Sequence, residues 1–159
     1  MGRKSVKENK NVYQTAREEL GLTREAAEEL LEVVSADRIE KIESEKTVAR
    51  PDEVLKMSEC YKRPELCNYY CSHECPIGQK YVKPVELKDL SQITLEVLSS
   101  LNTLEKEKNR LIEITVDGMI SEDEREDFEA IKERLNEMSN TVASLSLWAD
   151  NAVNSGKIK

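Results

Sequence analysis

Four cysteines, Cys60, Cys67, Cys71 and Cys75, fall within 16 residues in the spacing C-x6-C-x3-C-x3-C. Thiolates are preferred ligands of zinc and of iron–sulfur clusters. Four of them converging from two helices could hold zinc tetrahedrally or ligate a cluster. The spacing is neither the C-x2-C of zinc knuckles nor the C-x2-C-x2-C of ferredoxins, with which it shares only Pro76 after the last cysteine. Three other readings stand beside metal binding. The cysteines can pack as small hydrophobes, pair as disulfides against the pull of a reducing cytosol, or form a redox-sensing thiol pair. Nucleophilic catalysis lacks its base. His73 is the single histidine, two residues from Cys71 and two from Cys75, with no pocket implied around it.

Other chemistry is thinly supplied. The chain has no glycine-rich phosphate loop and no paired-carboxylate motif, so an enzyme is not expected. No apolar run is long enough to span a membrane, and the polar, basic start does not read as a secretory signal. A cytoplasmic protein without membrane contact is the expectation. The net charge of −8 is unevenly spread. Residues 1–58 carry 11 basic and 13 acidic side chains, net −2; residues 59–83 carry four and three, net +1; residues 84–159 carry nine and 16, net −7.

The elements that would position these residues are helical. Gly and Pro are few, and 35% of residues are charged, which suits solvated helices over sheets. Residues 1–9 read as a flexible arm. Val12, Tyr13, Ala16 and Leu20 share one helical face, and Gly21 stops that helix. Thr23 caps a second helix whose inner face is Ala26, Ala27, Leu30 and Leu31. After a bend at Glu32–Ser35, Ile39 and Ile42 mark a short third helix. A loop over 45–50 leads to Pro51, which opens a fourth helix with Val54, Leu55 and Met57 turned inward.

This order, with Gly21-Leu22-Thr23-Arg24-Glu25 leading into the second helix, Arg38-Ile39-Glu40-Lys41-Ile42-Glu43 in the third and Arg50-Pro51-Asp52 before the fourth, resembles the lambda-repressor-like, or XRE, helix-turn-helix family over residues 10–61. The connection between the second and third helices is one residue longer than that family's pattern, and Glu32 stands where it has Gly. The resemblance implies a pair between Arg17 and Glu43. It also implies a third helix lying in the major groove of duplex DNA. The expected DNA-binding residues are Thr23, Arg24, Ser35, Ala36, Asp37, Arg38, Lys41 and Lys46. Arg38 is expected to project outward to guanine and Lys41 to reach guanine or phosphate. Arg24 is expected to reach a phosphate at the start of the second helix. Asp37 and Glu40 can only accept, so they suit cytosine amino groups and repel the backbone.

Residues 62–83 read as a cysteine-containing connector. Pro64 opens a fifth helix with Cys67 and Cys71 on one face, Cys75 lies near its end, and Cys60 folds back towards the other three. The run Pro64 to Gly78 is similar to a segment of bacterial XRE-type proteins with a helical tail, a resemblance that supplies no activity. Residues 84–159 read as an antiparallel two-helix coiled-coil hairpin. Its first seam is Leu87, Thr94, Leu101 with Leu90, Val97, Leu104, Leu111. Its second is Phe128, Leu135, Val142, Ala149 with Ile131, Met138, Leu145, Ala152. Asp117-Gly118 stops the first helix, and Ser121 with Glu124 forms a capping box for the second. Ile93, Leu98, Ile112, Ile114, Leu147 and Trp148 lie off these seams, which points to a homodimer. The whole reads as an all-α, DNA-binding regulator. The alternative is a protein–protein adaptor built on a degenerate helix-turn-helix scaffold and an acidic coiled coil.

Overall fold

The computed structural model describes residues 10–158. They are helices and connecting turns with no strand among them, so the fold class is all-α. The expected arm at 1–9 lies outside the described residues. The chain divides into two compact units, one of residues up to Pro84 with those from Asn151 on, the other Val85–Asp150.

Local chemistry sets the helix boundaries of the first unit. α1 (Val12–Glu19) starts at Asn11, whose side chain accepts the Gln14 N–H at 2.9 Å. It stops at Gly21, in the left-handed region at φ 70°, where the Leu22 N–H reaches the Arg17 carbonyl. α2 (Arg24–Leu31) and α3 (Ala36–Glu43) are capped by the Thr23 and Ser35 hydroxyls, each accepting a backbone N–H three residues on. α4 (Pro51–Tyr61) starts at proline, and Glu53 reaches back to accept the Arg50 N–H at 2.8 Å. The turn between α2 and α3 is unusually tight. Val33 N–H donates to the Leu31 carbonyl at 2.7 Å across Glu32, which sits at φ 62°, ψ −33°. That is a γ-turn of the rarer, strained hand, at the position where the helix-turn-helix pattern has glycine.

These helices enclose one apolar cluster. Tyr13, Ala16, Ala27, Leu31, Val34, Ile39, Ile42, Val54, Met57 and Tyr61 are its centre. Each large apolar side chain buried contributes about 1.5–3 kcal/mol relative to exposure. The faces expected from sequence hold for most positions. Leu20, Leu30 and Leu55 are exceptions and remain exposed, because these short helices bury a stripe narrower than the full apolar run.

The cluster does not end at residue 61. Leu66 is buried in it, and Cys60, Cys67, Tyr69 and Tyr70 pack against it. α5 (Glu65–Tyr69) runs directly into a π turn over Tyr70–Glu74, followed by the one-turn α6 (Gly78–Tyr81). Residues 64–81 are thus a folded layer on the four-helix core. Gly78 makes the layer possible. A Cβ there would lie 2.0 Å from the carbonyl oxygen of Cys71, so only glycine allows α6 this close to the π turn.

In the second unit, α7 (Leu90–Thr115) and α8 (Arg125–Asn154) run in opposite directions. Arg110 on α7 meets Asp127 on α8 at 2.7 Å, while Glu107, one turn earlier, meets Arg134, further along α8. The break follows the expected signals. Gly118 sits at φ 74°, and the Glu124 carboxylate accepts the Ser121 N–H at 3.1 Å. The covered rows differ from those expected. Val97, Leu104, Leu111, Phe128, Ile131, Met138, Ala149 and Ala152 are buried or half-buried, whereas Leu87, Leu90, Thr94, Leu101, Leu135, Val142 and Leu145 are exposed. On α7 the second covered row is Ile93, Ser100, Glu107 and Ile114. Each helix carries more apolar residues than its partner covers.

Candidate nucleic-acid interface

The α2–α3 face is pinned from behind by a buried charge cluster. Arg17 on α1 meets the Glu43 carboxylate with both Nε and Nη2, at 2.6 and 2.9 Å, and Nη1 donates to the Leu22 carbonyl. Arg24, at the start of α2, adds its Nε to the same carboxylate at 2.9 Å. The pairing that the family resemblance implied is thus present, with Arg24 as a third member. Burial alone would make it harder to keep Arg17 charged, and the Glu43 carboxylate more than compensates. One carboxylate between two guanidiniums ties α3 to α1 and α2 together, and a buried pair of this sort is costly to break from one side.

Arg38 is not presented outward. Its Nε and Nη2 meet the two oxygens of Glu53 at 2.8 Å each, Nη1 donates to Thr47 at 2.7 Å, and Nη2 also reaches the Val48 carbonyl. This corrects the expectation of a guanine-reading Arg38. Its guanidinium anchors the start of α4 to α3 and closes the loop between them. The Glu53 side chain is only 2% exposed. Burial would raise its pKa, but hydrogen bonds from Arg38 and Arg50 hold it at about 2. Sequence reading did not single out Glu53, and took Arg50 only as part of the run leading into the fourth helix. The available signal was the glutamate three residues after Arg50, just inside a proline-started helix, a position that usually indicates a cap.

The remaining expected residues differ in exposure. Ser35 and Asp37 are exposed, Thr23, Ala36 and Lys41 are half-exposed, and Lys46 follows on the loop. Their charges are matched in pairs. Lys41 meets Asp37 at 2.6 Å, one helical turn apart, and Lys46 meets Glu40 at 3.0 Å. Arg50, 67% exposed at its side chain, meets Glu53 at 3.1 Å. The Lys41–Asp37 and Lys46–Glu40 pairs are exposed, weak and salt-screened, so their cations can be transferred to a competing phosphate. The buried Arg17 and Arg38 pairs cannot be exchanged in this way. Arg24 and Arg50 each hold a buried carboxylate, Glu43 and Glu53, so the readily usable cations of this face are Lys41 and Lys46.

The cysteines do not converge as four. Cys60 Sγ donates to the Leu30 carbonyl on α2 at 3.6 Å rather than turning towards the other three. Burial, then the neighbouring Cys75 and Cys67 sulfurs, push the Cys71 thiol up, so these three share one neighbourhood. All four are free thiols of intermediate exposure. Among the described residues, no group of three or more His, Cys, Asp and Glu side chains is placed to hold a metal ion. The segment is docked on α1 by polar and aromatic contacts that sequence reading missed. The Tyr13 hydroxyl donates to Glu74 at 3.1 Å, Tyr13 meets Tyr69 edge-to-face at 6.1 Å, and His73 stacks on Tyr69 at 4.5 Å. Burial raises the pKa of Glu74, with only partial relief from Tyr13.

Comparison of the chain with protein-family models, with curated proteins and with solved structures returns no match. Among the described residues, no helix is long and apolar enough to cross a membrane.

Proposed function

We propose that the protein is a duplex-DNA-binding transcriptional regulator of the XRE type, with α2 and α3 as its helix-turn-helix and α3 entering the major groove. The observation that carries this reading is the Arg17–Glu43–Arg24 cluster. It fixes α3 against α1 and α2 from the buried side and leaves Ser35, Asp37 and Lys41 facing out. In this reading Lys41 and Lys46 contact phosphates, while Ser35, Asp37 and Lys41 meet base edges. The two readily transferable cations, Lys41 and Lys46, imply a log–log salt slope of about −2 per domain, shallow for a DNA binder.

The α7–α8 pair is the proposed coiled-coil dimerisation element. It turns Ser100 and the Glu107–Arg134 pair inward and leaves Leu98, Leu101, Leu135, Val142 and Leu145 outside. A second copy covering those leucines would supply the second half-site reader that such domains use. Selection from a random duplex library followed by anisotropy on the enriched sequence tests the proposal. Enrichment of a two-fold-related site supports it, and no retention of any duplex at low salt removes it.

The runner-up is an adaptor that binds proteins. It is favoured by the consumption of Arg38 within the fold and by the outward Asp37, 73% exposed at its side chain. Its signature would be stable protein partners together with DNA affinity that is the same for every sequence.

A further inference from the structure

We infer that Cys71 and Cys75 are a redox-active dithiol, closed to an intramolecular disulfide by low-molecular-weight disulfides of the glutathione type, and that closure loosens the π turn from α1. The regulatory consequence rests on the DNA-binding reading above; the dithiol itself does not.

Three features place the chemistry here. Both thiols are free and half-exposed, so a small reagent can reach them. They lie four residues apart across the π turn, whose closing bond from the Cys75 N–H to the Tyr70 carbonyl at 2.9 Å keeps the two within one turn of each other. The Gly78 N–H donates to the Cys75 sulfur at 3.4 Å, which holds this sulfur at the end of the π turn beside a backbone donor. Cys67 shares the neighbourhood but sits on regular α-helix further from this donor, and Cys60 is engaged on α2.

Exchange then proceeds in two steps. The Cys75 thiolate attacks one sulfur of RSSR, forming the mixed disulfide Cys75–S–S–R and releasing RS⁻. The Cys71 thiol gives its proton to RS⁻ and attacks the Cys75 sulfur, forming Cys71–S–S–Cys75 and releasing the second RS⁻, which takes a proton from water. The cysteine pair loses two electrons, and RSSR is reduced to two thiols.

The output follows from the neighbours. The Cys75 N–H closes the π turn on the Tyr70 carbonyl at 2.9 Å, and Glu74, the preceding residue, holds Tyr13. Drawing the Cys75 sulfur onto Cys71 rotates this end of the turn and pulls Glu74 off the Tyr13 hydroxyl. α1 thereby loses part of its support, and α1 carries the Arg17 that holds α3.

The test uses the full chain, reduced and then equilibrated with glutathione and its disulfide. Cleavage after Glu74 separates Cys71 from Cys75, so a surviving link reports the bond directly by mass. The expected result is loss of two thiols and two hydrogens, with the same link in a Cys60→Ser/Cys67→Ser variant shown folded by circular dichroism. Amide hydrogen exchange in α1 should rise on oxidation and stay unchanged in Cys75→Ser. A link through Cys67, a stable glutathione adduct with Cys71 still free, or no oxidation at all overturns the dithiol. Unchanged α1 exchange in the oxidised protein overturns its coupling to α1. Should neither redox form retain any duplex while the bond still forms, the DNA-binding reading alone fails.

Discussion

Arg38 and Glu53 face each other fork to fork, with Nε and Nη2 each 2.8 Å from one carboxylate oxygen. The contact ties the first turn of α3 to the first turn of α4, so the Arg38 guanidinium is spent inside the fold. Its energetic weight appears as pH dependence. Glu53 has a folded pKa of about 2, well below its ordinary value near 4.5. Its contribution is therefore complete above about pH 5 and is lost as pH falls towards 2, amounting to about 3 kcal/mol. Arg38→Met should lower stability by about 2–3 kcal/mol at neutral pH. It should also shift the acid loss upward, towards pH 4. Urea denaturation at pH 2.5, 4 and 7 measures both; a wild-type curve flat down to pH 2.5 would refute the assignment.

Glu32 carries a positive φ in the turn before α3. A glycine avoids the Cβ clash that makes this region costly for other residues, by about 1–2 kcal/mol. Glu32→Gly is expected to raise stability by about 1 kcal/mol once the added freedom of the unfolded chain is deducted. The urea midpoint should move up at constant m-value. A lower midpoint would mean that the Glu32 side chain makes a contribution its backbone geometry does not reveal.

Gly78 packs on the backbone of Cys71, and a Cβ there would meet three backbone atoms of that residue between 2.0 and 2.9 Å. Backbone cannot move aside as a flexible side-chain tip can. Gly78→Ala should therefore lift α6 off the π turn at a cost of about 1–3 kcal/mol. Cys71 thiol reactivity should rise, while the buried positions of α2 and α3 keep their amide protection. Wild-type reactivity in the variant would count against this packing.

Tyr13 and Glu74 give two opposed expectations. Tyr13→Phe removes the donor and strands a partly buried carboxylate, so it should destabilise by about 1–3 kcal/mol. Glu74→Gln keeps an acceptor and removes the charge whose burial raises the Glu74 pKa. A folded pKa above the unfolded one means that Glu74 favours folding at low pH and that this benefit is lost as pH rises. The glutamine variant should therefore be at least as stable as wild type at pH 7, with the difference shrinking below pH 4. Thermal melts at pH 4 and pH 7 would expose the opposite order.

Much of the first unit could be read from its residues, because its signals are local. Thr23 and Ser35 are short hydroxyl side chains just ahead of apolar-periodic runs, and both cap. Ile39 and Ile42 share one helical face, and both are buried. The Arg17–Glu43 pair came from the family resemblance rather than from any local pattern. What escaped notice were contacts between segments far apart in sequence. Nothing near Arg38 announces a partner 15 residues on, and nothing near Tyr13 announces Glu74. In the second unit the heptad spacing does not tell which apolar rows are covered, because apolar residues lie on more than one row of each helix, and Leu87, Leu90, Leu101, Leu135, Val142 and Leu145 stay exposed.

The hydrogen bond from Tyr13 to Glu74 spans 61 residues of chain. During synthesis the first helix leaves the ribosome long before its partner does. Until Leu66 and the turn at 70–74 have followed, that helix lacks one wall of its compartment. A nascent chain halted just past Tyr61 would carry all four of these helices and still leave Tyr13 without Tyr69 and Glu74 against it. The last strut of the domain is supplied by the stretch that carries the thiols.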